Sequence, residues 1–324
     1  MAQLEERRVR GWTVLQLSTD DLSAEIIPGL GGTIVSLTRR ADGASLLWSP
    51  PWGLRHREAG SLPGTSQAQM IDSLAGGWQT IFPNGGDSIS MHGTEWGYNG
   101  EARVTWLDWE FTGSSVRMTG HLTRAPFQLT KIISMREHEV TVGETVRNGG
   151  KQRIEAMWGS QLMLGGALLG PDTLIDAAAA VVRPDPEASP GADYDDLMPW
   201  PRSHGPETMI NLRIVPDIDT QETRLGYLSD FSQPLITVSR PSHRIAIDIE
   251  WDAAVFPYVW YALEAGGRGG FPWYHAGYFL NLTPCTSWPA HGVHEARRVS
   301  GSTVLIDPSE VLTSYVALRV QPLD

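Results

Sequence analysis

Three side chains combine an ionisable group with a setting that could hold it against a bound molecule: His92, His275 and Glu264. His92 follows the short run 88–91 and precedes Gly93, a strand–turn junction where a side chain can be aimed at a pocket. His275 sits in a loop rich in glycine and aromatic residues, directly after Trp273 and Tyr274. Glu264 ends the run Trp260-Tyr261-Ala262-Leu263-Glu264, whose alternation would put Trp260, Ala262 and Glu264 on one face of a strand. Imidazole and carboxylate groups are natural proton donors and acceptors near neutrality, so this set reads as general acid–base chemistry. Asp87 and Glu95 flank His92 and could orient its ring or grip ligand hydroxyls. Asn84 and Gln161 are amides, each offering a donor and an acceptor to vicinal hydroxyl groups.

Aromatic residues point to the same kind of ligand. Thirteen Trp outnumber eight Tyr and seven Phe. Several, including Trp48, Trp52, Trp96, Trp200, Trp273 and Trp288, stand beside Gly, Pro or polar residues. Flat indoles in such loops suit the C–H faces of a pyranose. Trp96, Trp158, Trp260 and Trp273 are the rings expected to touch it.

The elements that must position these groups read as strands. Period-2 alternation with β-branched and aromatic enrichment recurs at 12–18, 23–27, 33–37, 102–111, 116–122, 127–135, 138–146, 235–238, 244–250, 255–263 and 277–282. Segment 174–182 (LIDAAAAVV) is readable either as a short helix or as a strand running into a loop. Thirty-four Gly and 22 Pro leave little room for long helices. The expectation is an all-β chain with helix under about 15% of residues, below the usual globular share. It forms one domain over 1–324, with a Pro-rich acidic loop insertion at 183–207 that borders the pocket through Trp200. The segment 54–72 is a second excursion from the sheet.

Composition excludes several classes. A formal charge of −12 disfavours nucleic acid and anionic lipid as partners. No run approaches the roughly 20 apolar residues of a membrane helix, and the first residues show no apolar leader. With Cys285 alone there is no internal disulfide, and the cytoplasm is the expected compartment. Phosphate-binding glycine loops, HExxH and paired CxxC are missing, and His291, His294 and Glu295 lack a third ligand at a defined spacing. They read as a solvated turn, so no cofactor and no metal are expected. The partner is a small-molecule carbohydrate, and edge strands with loop tryptophans would suit a homodimer.

Three segments together resemble the galactose-mutarotase-like (aldose 1-epimerase) superfamily: AEIIPGLGGTIVSLTRRADGASLLWSP (24–50), GGWQTIFPNGGDSISMHGTEWG (76–97) and FPYVWYALEAGGRGGFPWYHAGYFLNLTPCTSWP (256–289), with MWGSQL (157–162) between them. The resemblance spans about residues 20–300 and implies a single-domain β-supersandwich of large, mostly antiparallel sheets. It also implies that His92-Gly93 followed by Trp96-Gly97 lies in a sugar pocket. The family places a second histidine, the acid for the ring oxygen, where this chain has Trp158-Gly159-Ser160-Gln161. It places a glutamate, the base for the anomeric hydroxyl, where this chain has Thr283 before Pro284. Neither Gln161 nor Thr283 titrates usefully. An anomer-interconverting isomerase would therefore join His92 to His275 or Glu264. The alternatives on the same scaffold are a carbohydrate-binding protein without catalysis and a sugar lyase.

Overall fold

The computed structural model describes residues 2–59, 62–205 and 208–322, so the last two residues of the 183–207 segment lie outside the described residues. The chain is predominantly β. An 18-stranded hydrogen-bonded network runs through it, antiparallel at every strand pair, and the α-helices among the described residues are Ser66–Asp72 and Val293–Val299. Leu15 and Leu17 near the start and Val316 and Val320 near the end share one core cluster, so the sheet folds over and packs on itself as a β-sandwich.

Alternation explains most of the strands. Phe127–Arg136 buries Phe127, Leu129, Lys131, Ile133 and Met135 while the residues between them face outward. Lys131 is the surprise in that row. It pairs across the sheet with Glu144 at 3.0 Å, both nearly sealed from solvent. Trp158 Nε1 donates to the second Glu144 oxygen at 3.1 Å and Thr80 to the first. A buried ion pair persists only when its remaining lone pairs are satisfied in this way.

One open reading is resolved and two expectations need correction. Segment 174–182 belongs to the strand Leu174–Pro184, which pairs with the long strand Glu222–Arg240. Sheet pairing overrides the helical preference of its alanines. Ala102–Val104 is a 3₁₀ turn rather than the start of a strand, and only Asp108–Phe111 is extended. The turn carries the Arg103 side chain inward. The 183–207 segment is not wholly outside the sheet, because Met198–Pro199 pairs with Val181 and Val182.

Candidate functional site

Five adjacent strands make the floor of a cavity: Trp78–Ile81, Gly159–Leu164, Tyr278–Cys285, Tyr258–Ala265 and the first half of Glu222–Arg240. Their register sets the side chains out in rows. Gln79 lies opposite Gln161, and Trp260 lies between Thr283 and Tyr227. In the next row Ala262 lies between Asn281 and Leu225, with Met163 on the far side of Asn281. Glu264 lies between Phe279 and Thr223. At about 4.8 Å between strands and 3.3 Å per residue, Gln161 and Glu264, two strands and four residues apart, stand roughly 16 Å from each other at opposite corners of the floor. Ala262, the smallest side chain, leaves the space between them.

The helix Ser66–Asp72 covers one side with Gln67, Met70 and Ile71, while Tyr98, Asn99, Asp87 and His291 line another. The enclosed volume is about 240 Å³, at the small end for ligand cavities, which run from roughly 300 to 1,000 Å³. A single small polar ring fits that size better than a nucleotide or an oligosaccharide. Two glycines make the walls possible. A Cβ on Gly85 would stand 2.6 Å from the Trp260 ring, and one on Gly277 would stand 2.8 Å from Glu264 Cγ.

Of the residues singled out in the sequence, the cavity brings together Asp87, Gln161, Trp260, Glu264 and Trp273. Glu264, 3% exposed, accepts from Arg268 N at 2.9 Å and Thr223 Oγ1 at 3.0 Å. Trp273 stacks on Trp52 with centroids 6.0 Å apart and packs against Trp48 and Phe279.

The others lie outside this lining. His92 is exposed at the tip of the hairpin formed by Ile89–Met91 and Thr94–Trp96, with φ 49°, and its Nδ1 meets Gln152 Nε2 at 3.3 Å. Glu95 is exposed beside it, and Trp96 is buried in the main core. His275 Nδ1 meets Gly266 O at 2.6 Å, which ties the ring to its own loop. Asn84 is fully buried, donates to Asp87 O and Gly97 O, and accepts from Val293 N. It clamps three loops together. Trp158 is sealed in the core, where it packs on Phe82 and Phe256 and donates to Glu144. Trp200 also packs against the core and is absent from the lining, to which the same segment contributes Glu187.

His291, expected in a solvated turn, is instead largely buried and lines the cavity. Its Nε2 lies 2.9 Å from Asp185 Oδ2 and its Nδ1 lies 3.1 Å from Asp87 Oδ2. Burial works against the charged ring, but the two carboxylates outweigh it and raise the His291 pKa to about 10. Asp185 has no exposed surface, which by itself favours its neutral form. His291 and the hydroxyl of Tyr227 nevertheless hold its pKa below the usual carboxylate value. His291 is therefore an imidazolium at the cavity edge at neutral pH. Arg103, Gln79 and Asn281 were not singled out in the sequence, and Thr283, named there only as a non-titrating replacement, also lines the cavity. The buried Asn281 Oδ1 and Thr283 Oγ1 have no hydrogen-bond partner among the described residues. Buried polar atoms of this kind call for a ligand or water. Alternation along Phe279, Asn281 and Thr283 could have flagged that face, whereas nothing local could flag His291. No group of three His, Cys, Asp or Glu able to hold a metal occurs among the described residues, and no described helix is long and apolar enough to cross a membrane.

No protein-family model and no curated protein sequence matches the chain. Solved structures do. A galactose mutarotase-like protein from Clostridium acetobutylicum superposes with a TM-score of 0.70 at 12% identity, covering 99% of each chain. One from Lactobacillus casei gives 0.67 at 14% identity, covering 95% of this chain and 100% of its own. A galactose mutarotase related enzyme from Lactobacillus acidophilus gives 0.67 at 11% identity, covering 96% of this chain and 98% of its own. At these identities the likeness speaks to architecture, and over nearly its whole length this chain has the fold of the galactose mutarotase-like proteins.

Proposed function

We propose that the cavity binds a monosaccharide or small sugar derivative and interconverts its anomers by acid–base ring opening. The observation that carries this reading is the presence on one floor of a buried carboxylate, Glu264, with Asn281 Oδ1 and Thr283 Oγ1, which have no partner among the described residues. An acceptor and a hydroxyl left empty in a small cavity suit a ligand that brings many hydroxyl groups.

In the proposed reaction Glu264 takes the proton of the anomeric hydroxyl. The C1–ring oxygen bond breaks as the C1 carbonyl forms, and the ring oxygen gains a proton from the His291 imidazolium. Rotation about C1–C2 and the reverse transfers close the ring on the other face, returning both protons. Of the three carriers expected from the sequence, Glu264 alone lines the cavity, and His291 takes the place given to His92 and His275. Fixed donors facing the developing oxyanion would lower the barrier further.

A second reading, sugar binding without turnover, is favoured by Gln161 and Thr283, which stand where the resemblance calls for a histidine and a glutamate. Exchange NMR on mixed anomers of glucose and galactose separates the two. Glu264→Gln should lower the parent rate about 10²–10⁴-fold while leaving binding measurable. A parent that binds sugar and never exceeds the buffer rate would establish the second reading instead.

A further inference from the structure

Arg103 is a charge in an unexpected place. It is 4% exposed, and its hydrogen bonds go to neutral acceptors: Met70 O at 3.0 Å, Ser73 Oγ at 2.9 Å and Gln79 Oε1 at 3.3 Å. Burial pushes its pKa down to about 10. The first two contacts tie it to the C-terminal end of the helix that covers the cavity, where backbone carbonyls attract a cation. The third reaches the cavity floor.

A guanidinium donates and cannot accept. The Gln79 atom turned toward Arg103 must therefore be its carbonyl oxygen, which leaves Gln79 Nε2 facing the next strand. That nitrogen donates to Gln161 Oε1 at 2.6 Å. With its oxygen held there, Gln161 directs its own Nε2 away from Gln79, and that nitrogen makes no hydrogen bond to a described residue. Two facing glutamines could otherwise turn over together, since each amide reads the same in either sense. Only a donor-only neighbour removes the ambiguity.

We infer that Arg103 is a positioning residue that fixes the direction of this row, so that Gln161 offers the cavity an N–H donor and selects a ligand with an acceptor oxygen at that point. Within the sugar reading, on which the ligand half of this inference rests, such an atom is an oxygen without a hydrogen of its own. A ring oxygen is the plainest case. Asn281, two strands from Gln79, has no partner for its Oδ1 among the described residues, so its amide can meet a ligand in either sense. At Gln161 the floor thus discriminates by hydrogen-bond direction as well as by size.

The first arm of the test needs no ligand. In the full chain labelled with ¹⁵N at glutamine side chains, the Gln79 amide protons should exchange with water about five- to tenfold more slowly than those of Gln161, the value of one net hydrogen bond. In Gln79→Glu the new carboxylate can only accept, from Arg103 on one side and Gln161 on the other, so protection should move to Gln161. If that variant does not fold, Gln161→Glu serves, because its carboxylate still accepts from Gln79 and should leave Gln79 protected. Equal protection of both amides in the parent, or no transfer in Gln79→Glu, would overturn the inference.

The second arm uses 1,5-anhydrohexitols of gluco and galacto configuration against counterparts with CH₂ in place of the ring oxygen, measured by calorimetry. The parent should favour the ring oxygen by about tenfold, and Gln79→Glu should reduce that preference to what the His291 contact alone supplies. If the exchange pattern holds and neither probe type binds, the sugar reading fails and the direction of the row stands. If sugars bind without preference between the probes, the selection at Gln161 fails and the sugar reading stands.

Discussion

Replacing His291 with glutamine removes the cation that faces both Asp185 and Asp87, and its cost should depend on pH in a defined direction. The folded His291 pKa of about 10 lies above the value of 6.5 for a free imidazole. A group raised on folding contributes stability that is fully present below the unfolded pKa and is lost as pH rises through the folded one. The stabilising contribution is therefore complete near pH 6 and nearly gone by pH 10. A shift of that size corresponds to a ceiling of about 5 kcal/mol. Keeping the Asp185 carboxylate out of water consumes several kcal/mol of it, so about 2–3 kcal/mol should survive. Asp185 acts oppositely. Its lowered pKa adds stability above about pH 4 that disappears in acid. For a chain of this size the His291 term amounts to roughly 3–4 °C in Tm. Differential scanning calorimetry of parent and His291→Gln, at half-unit steps from pH 6 to 10, measures it as the gap between two curves. The gap should be widest near pH 6 and should narrow steadily above pH 6.5. Curves that stay parallel across that range would refute the ion-pair account of His291.

Two further perturbations test the floor and the core. Glu144→Gln leaves the Lys131 ammonium without its counter-charge and should destabilise the fold by about 3–5 kcal/mol in chemical denaturation, whereas joint replacement of Lys131 and Glu144 by apolar residues should recover much of the loss. Ala262→Leu fills the space between Gln161 and Glu264 and should abolish sugar binding in calorimetry while changing stability by less than about 1 kcal/mol, because the added methyl groups enter the cavity rather than the packed core.

The strands were legible where alternation was intact, and the reason is local. A half-buried strand writes its inner face into every second residue, so Trp12–Ser18 and Phe127–Arg136 could be read without their partners. Alternation did not reveal that Lys131 faces inward with a charge and Ile132 faces out, because the compensating Glu144 is a cross-strand partner. It also failed at Arg103. The run 102–111 alternates well enough to suggest a strand, yet its first residues turn as a 3₁₀ segment so that the guanidinium can reach Met70, Ser73 and Gln79.

The site divides along the same line. Glu264 and Trp260 could be placed on one face because both lie in a single alternating strand, and that face does line the cavity. The rim obeys no local rule. His291 meets partners 204 and 106 residues away in sequence, and each of those acids, taken alone, looks like a loop carboxylate. His92 was misleading for the converse reason. Its junction next to a glycine is the setting of many functional side chains, but the hairpin that carries it directs the ring toward Gln152 at the surface. A histidine's neighbourhood in sequence describes the backbone beneath it, whereas its chemistry depends on the charges opposite it. Here those charges converge on His291. Its ion pair with Asp185 also joins the 183–207 segment to the cavity edge, so the acid proposed for ring opening and the contact that holds this part of the wall are the same imidazolium. Raising the pH should therefore remove the proton donor and loosen the wall together. A purely structural role would give the second effect without the first.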